Sequence, residues 1–93
     1  MPDPFALRGD QIKNVLLGME REAEESDLFS LGYMIPQVEL VLEMADYDPE
    51  GVNAEDFDAS YWQWLEHTFA QDAMSDGDQE QIASLWRQAL SLA

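Results

Sequence analysis

The residues of this chain able to do chemistry are few. They are His67 beside Glu66, a run of oxygen donors at Asp46-x-Asp48-x-Glu50-Gly51, and Trp62 spaced among Glu55, Asp58 and Glu66. A histidine next to a carboxylate is the raw material of a general base or a metal ligand. No Glu-x-x-His pair accompanies it, there is one histidine in all, and there is no cysteine to complete a site. A serine triad needs a nucleophile elbow, and no Gly-x-Ser-x-Gly turn or phosphate-cradling glycine loop is present. His67 therefore reads as a surface residue, the chain as non-enzymatic, and no cofactor is expected.

Asp46, Asp48 and Glu50 match loop positions 1, 3 and 5 of an EF-hand, with Gly51 at position 6. The second half departs from that pattern. Position 8 is Asn53, and position 12, where a bidentate glutamate closes the calcium shell, is Phe57. Asp76-Gly77-Asp78 with Glu80 is a poorer fragment still. A calcium-responsive domain centred on Asp46, Asp48 and Glu50 stands as an alternative function, decided by the missing ligand.

Trp62 lies about 140° around its helix from Phe57, at the edge of the face that would be buried. Glu55, Asp58 and Glu66 are close to it in angle. An indole among carboxylates suits a lysine or arginine from a partner, through cation–π contact and a charge-assisted hydrogen bond. The plainer alternative is that the first helix or the N-terminal arm covers Trp62.

The charge balance says which partners such a surface tolerates. The 93 residues carry 20 acids and 4 bases, a formal charge of −16. Three acids and three bases cancel over residues 1–21, but from Glu22 to Trp86 there are seventeen acids and no lysine or arginine. Direct binding to nucleic acid or an anionic membrane would oppose like charges and lacks the cations that release counterions. A basic protein partner is the permitted counterpart. A DNA-mimic inhibitor is a further alternative. It needs the carboxylates on one ridge, because twenty acids spread over about 5,500 Å² would sit roughly 16 Å apart, about two Debye lengths. Adaptation to high salt accounts for the same composition.

Length and charge imply one acidic domain over residues 1–93, with no apolar run long enough to span a bilayer. The start, Met1-Pro2-Asp3-Pro4-Phe5, lacks a basic region followed by an apolar block, so a cytoplasmic protein is expected. The absence of cysteine is compatible with a reducing compartment.

Period-3.6 patterning predicts an all-α fold, a compact bundle of about four helices. The first begins near Pro4 with Asp3 as cap, or restarts after Gly9 with Asp10 as cap, and runs to about Glu25. Its stripe is Ile12, Val15, Leu16, Met19 and Ala23, joined by Phe5 if the helix is continuous, with Leu17 off the stripe. The third starts at Asn53 as N-cap, with Val52 placed to staple onto Phe57, and turns Phe57, Tyr61, Trp64, Leu65 and Phe69 inward. A capping pair Ser75/Asp78 introduces the fourth, whose inward stripe is Ile82, Leu85, Trp86, Ala89 and Leu90.

The second helix, Asp27 to about Ala45 with Ser26 or Asp27 as cap, is apolar on two sides. Leu31, Met34, Ile35, Val38, Val41, Leu42 and Ala45 fall on one, while Phe29, Tyr33, Leu40 and Met44 fall on the other. Such a helix is central or shared with another chain, so Phe29, Tyr33, Leu40 and Met44 form a candidate homodimer face. Pro36 has no N–H for the Gly32 carbonyl, which predicts a kink near Gly32–Pro36 or a short helix followed by a longer one. Asp46 to Asn53 reads as an exposed loop.

Leu28-Phe29-Ser30-Leu31-Gly32-Tyr33-Met34 and Met74-Ser75-x-x-Asp78-Gln79, with Ile82 and Leu85-Trp86 following, resemble the small bacterial YfcL family. The segments stand in the order and at the spacing of that family's Leu-Phe-x-x-Gly-Tyr-Leu and Leu-Ser-x-x-Asp-Gln…Leu-Trp patterns, and the likeness covers most of the chain. The Asp46–Ala54 region is least alike, and Pro36 departs from the pattern. The resemblance implies a compact, helical, acidic bacterial cytosolic protein and carries over no catalytic residue.

Overall fold

Asp3, Asn53 and Ser75 are short oxygen-bearing side chains placed just ahead of apolar-periodic runs, and each starts a helix. The computed structural model describes residues 3–93. Met1 and Pro2, part of the N-terminal segment from which no leader was read, lie outside the described residues. Helix α1 spans Pro4–Glu22, α2 Glu25–Met44, α3 Ala54–Gln71 and α4 Asp76–Leu92. The fold is an all-α bundle, with no strand among the described residues. No described helix is long and apolar enough to cross a membrane.

Helix α1 runs unbroken through Gly9, so Phe5 does share its stripe and the restart at Asp10 does not occur. The reason lies at both ends of that first turn. Asp3 Oδ1 accepts from the Ala6 N–H at 2.8 Å, Pro4 has the φ a first helical residue needs, and Gly9 is buried where α1 crosses α2. A Cβ at Gly9 would lie 2.6 Å from Leu42 Cδ2, so a bare backbone lets the two helices meet. The helix stops at Glu22, three residues before the expected end, and α2 starts at Glu25, two before its expected start. Neither Ser26 nor Asp27 caps it; Glu24 holds the N-cap position with no side-chain cap bond.

Helix α2 is one element despite Pro36. The split into a short and a longer helix does not occur because Gly32 and Pro36 both face solvent, so the carbonyl that loses its N–H partner is left to water. Its other side supplies Leu31, Met34, Val38 and Val41 to the core. With α1, it packs against every other helix, while the α3 and α4 backbones approach each other least. Central position, one of the two expectations for a two-faced helix, therefore holds for α2.

Side chains fill the gap between α3 and α4. A chain of rings runs from Tyr47 to Phe5 (4.2 Å between centroids), Phe5 to Phe57 (5.2 Å), Phe57 to Tyr61 (5.7 Å) and Tyr61 to Trp86 (4.9 Å). Phe57 and Tyr61 are fully buried, and the Tyr61 hydroxyl donates to the Met34 carbonyl oxygen at 2.7 Å. Those rings tie the α2–α3 loop, α1, α3 and α4 into one core. At the start of α3 the N-cap expectation is exceeded: Asn53 and Asp56 exchange bonds at 3.0 and 2.9 Å as a full capping box. Ser75 makes only one half of its box, accepting from the Asp78 N–H at 3.3 Å.

Candidate acidic groove between helices α3 and α4

Trp62 is half-buried, its ring 6.1 Å from that of Phe69 in an edge-on arrangement. It lines an open groove of about 410 Å³ with Glu66 and Phe69 of α3 and Asp76, Gln79, Glu80 and Ala83 of α4. The α3 and α4 backbones approach each other least of the helix pairs, and elsewhere between them the Tyr61 and Trp86 rings meet at 4.9 Å. All three charged residues lining it are carboxylates, and no lysine or arginine lies between them in sequence.

Of the four residues expected to gather at this site, two do. Trp62 and Glu66 share the groove. Asp58 is instead bound to Arg8, whose Nε and Nη2 donate to its two carboxylate oxygens at 2.9 and 3.1 Å. Glu55 is exposed two turns before Trp62 and does not line the groove. Helical angle groups residues on one helix but is blind to the neighbour that claims them, here α1. The residues missed are Asp76, Gln79, Glu80 and Ala83. Their i, i+3, i+4, i+7 spacing on α4, flanking the inward stripe, was a signal that could have placed them on one face.

The candidate homodimer face divides. Phe29 and Met44 are 67 % exposed and Leu40 is 40 % exposed. Tyr33 is engaged within the chain, stacked 6.3 Å from Phe69, with its hydroxyl 2.7 Å from Thr68 Oγ1 and 3.1 Å from Asp72 Oδ2. Burial, more than the neighbouring Asp72 charge, raises its phenol above the ordinary tyrosine range.

Asp46, Asp48 and Glu50, the residues of the calcium reading, lie in the α2–α3 loop. Asp48 Oδ1 accepts from the Glu50 N–H at 3.0 Å and its carbonyl from the Gly51 N–H at 3.0 Å, so the aspartate closes a turn within its own loop. Among the described residues no group of three or more carboxylate or histidine side chains converges as a metal site. Tyr47, between the two aspartates, bonds back to both oxygens of Asp3 at 3.1 and 3.0 Å. The Ala6 N–H chiefly, and this hydroxyl in addition, hold the Asp3 carboxyl below its ordinary range. His67 is exposed at the rim of another groove, with Met44, Asp46 and Trp64.

This chain thus folds as an all-α bundle with an aromatic, carboxylate-lined groove. No family model matches this chain, and no curated protein or solved structure matches it either.

Proposed function

We propose that this protein is a non-enzymatic binding module that receives a basic segment of a protein partner in the α3–α4 groove. The observation that carries the reading is Trp62: a half-buried indole backed by Phe69, open to solvent on a side whose charged neighbours are Glu66, Asp76 and Glu80. An arginine or lysine entering there stacks on the indole and meets carboxylates without an internal cation to displace. The base-free span from Glu22 to Trp86 steers such a partner at long range. The likeness to the YfcL family, with no catalytic residue to carry over, is in keeping with a binding role in the bacterial cytoplasm.

The test is calorimetric titration of the full chain with an arginine-rich peptide. Saturable binding in low salt that weakens by at least about tenfold near 0.5 M salt is expected, since screening removes contacts between exposed charges. Trp62→Ala and Glu80→Gln should each weaken it, while Glu55→Gln should not. No saturable heat, or binding indifferent to salt, would sink the proposal. So would a loss of about 3–5 kcal/mol of stability in Trp62→Ala, because that is the cost of a core aromatic.

A further inference from the structure

We infer that Arg87 gives the groove between α3 and α4 a direction, so that it takes an extended partner segment in which a basic residue at Trp62 stands two positions from an acidic one. This rests on the reading of the groove as a site for a basic segment and adds its polarity. Helices α3 and α4 are joined by residues 72–75 and so run antiparallel. Phe69 and Asp76 therefore stand at the loop end of the groove, Glu66 and Glu80 in its middle, and Trp62 and Ala83 at its far end. Past that far end the charge changes sign. Arg87 is exposed one turn after Ala83 and, at 100° per residue, lies within the stripe of Asp76, Glu80 and Ala83, about 20° from Asp76. Helical side chains lean toward the N-terminus of their helix, so Arg87 leans back over Ala83.

Nothing in the chain neutralises it. Of the four bases, Arg8 and Lys13 are held in ion pairs with Asp58 and Glu39, while Arg87 makes none among the described residues. One turn before Trp62 on α3 stands Asp58, and both its oxygens are taken by Arg8. A cation over the indole thus has carboxylates on its loop side and a guanidinium on the other. A uniformly basic segment would set its next cation against Arg87, whereas an acidic residue there gains a partner. The spacing suits an extended chain. Ala83 to Arg87 is about 6 Å of helical rise, and two extended residues, which bring side chains to the same face, span about 6.7 Å. A groove of about 410 Å³ has room for a few such residues and not for a helix about 10–12 Å across.

Calorimetric titration of the full chain at about 0.15 M salt with two peptides is the experiment. One is Ser-Arg-Ser-Arg-Ser-Glu-Ser, and the other has arginine in place of its glutamate. The long-range field of a chain of charge −16 favours the all-basic peptide, so preference for the first reports a local contact. The glutamate peptide should bind about two- to fivefold tighter, the range of one exposed ion pair. Arg87→Glu, at an exposed site, should keep its helical circular dichroism and reverse the order. Arg21→Glu, the same change of charge at an exposed residue of α1, should keep the parent's order. Tighter binding of the all-basic peptide by the parent overturns the inference, as does a ratio of affinities that Arg87→Glu leaves unchanged. Either result leaves the groove a site for basic segments. No saturable binding of either peptide, or binding that Trp62→Ala leaves intact, overturns the inference together with the reading it rests on.

Discussion

Arg8 and Asp58, fifty residues apart in sequence, face each other as a two-pronged pair at 2.9 and 3.1 Å, with side chains 15 % and 24 % exposed. It fastens the first turns of α1 to the start of α3. In a protein with four basic residues, one of them is committed to this junction.

Removing either partner has a direction. Arg8→Ala should lower stability by about 1–2 kcal/mol, because a partly shielded bidentate pair exceeds an exposed one and Asp58 would join an already anionic surface alone. Asp58→Asn should cost less, since an amide oxygen still accepts one bond. A double-mutant cycle by urea unfolding measures the coupling, and a coupling near zero would mean the pair fixes nothing.

Ala73 has a left-handed backbone, φ 50°, immediately after α3. The Met74 N–H reaches back to the Phe69 carbonyl at 3.0 Å and the Ala73 N–H to that of Ala70 at 3.4 Å, the two bonds of a Schellman end. Glycine takes this conformation without the Cβ penalty. Ala73→Gly should therefore raise stability by about 1 kcal/mol, seen as a higher melting temperature.

Ser30 is fully buried on α2 and its hydroxyl has no hydrogen-bond partner. The carbonyl one turn back, on Ser26, is occupied by Gln81 Nε2 at 2.8 Å. Ser30→Ala removes a desolvated, unpaired hydroxyl and adds helix propensity. A gain of about 0.5–1 kcal/mol in denaturant unfolding is expected. A loss instead would show that the hydroxyl is satisfied by a group not visible in the fold.

Burial pushes the Tyr61 phenol far above its ordinary value of 10.0, and Tyr33 and Tyr47 are raised as well, also chiefly by burial. The folded state holds these protons more tightly than the unfolded chain does. Their contribution is thus fully present below about pH 10 and is lost as pH rises beyond it, at up to about 1.4 kcal/mol per pH unit for the buried Tyr61 and by less for the two that water screens. Urea midpoints measured from pH 8 to 11.5 should fall above pH 10, with tyrosinate absorbance appearing as the chain unfolds. Tyr61→Phe should start lower, through loss of the bond to the Met34 carbonyl, and decline less steeply.

Helix count, all-α class and most of the core were readable from spacing alone. Ile12, Leu16, Leu31, Met34, Phe57, Leu65 and Ile82 are each in the stripe that periodicity gave them and are each buried. The N-cap Asn53 was equally plain, because a cap depends on atoms within four residues of itself, while Asp3 was one of two candidates with Asp10 until α1 proved continuous through Gly9. Glu24 was not, since that end is set without a side-chain bond at all.

What local pattern determined, then, is what one helix decides about itself: where it begins when a side chain caps it, as at α3 and α4, which side is apolar, and that α2 has two such sides. What only the folded chain decided is which neighbour claims each borderline residue. Arg8 takes Asp58 from the expected site, Thr68 and Asp72 take the Tyr33 hydroxyl, and α4 brings Asp76 and Glu80 to Trp62. Periodicity fixes an angle about one axis, whereas these pairings depend on the distance and rotation between axes, which the packing of Gly9 on Leu42 and of Tyr61 on Trp86 sets.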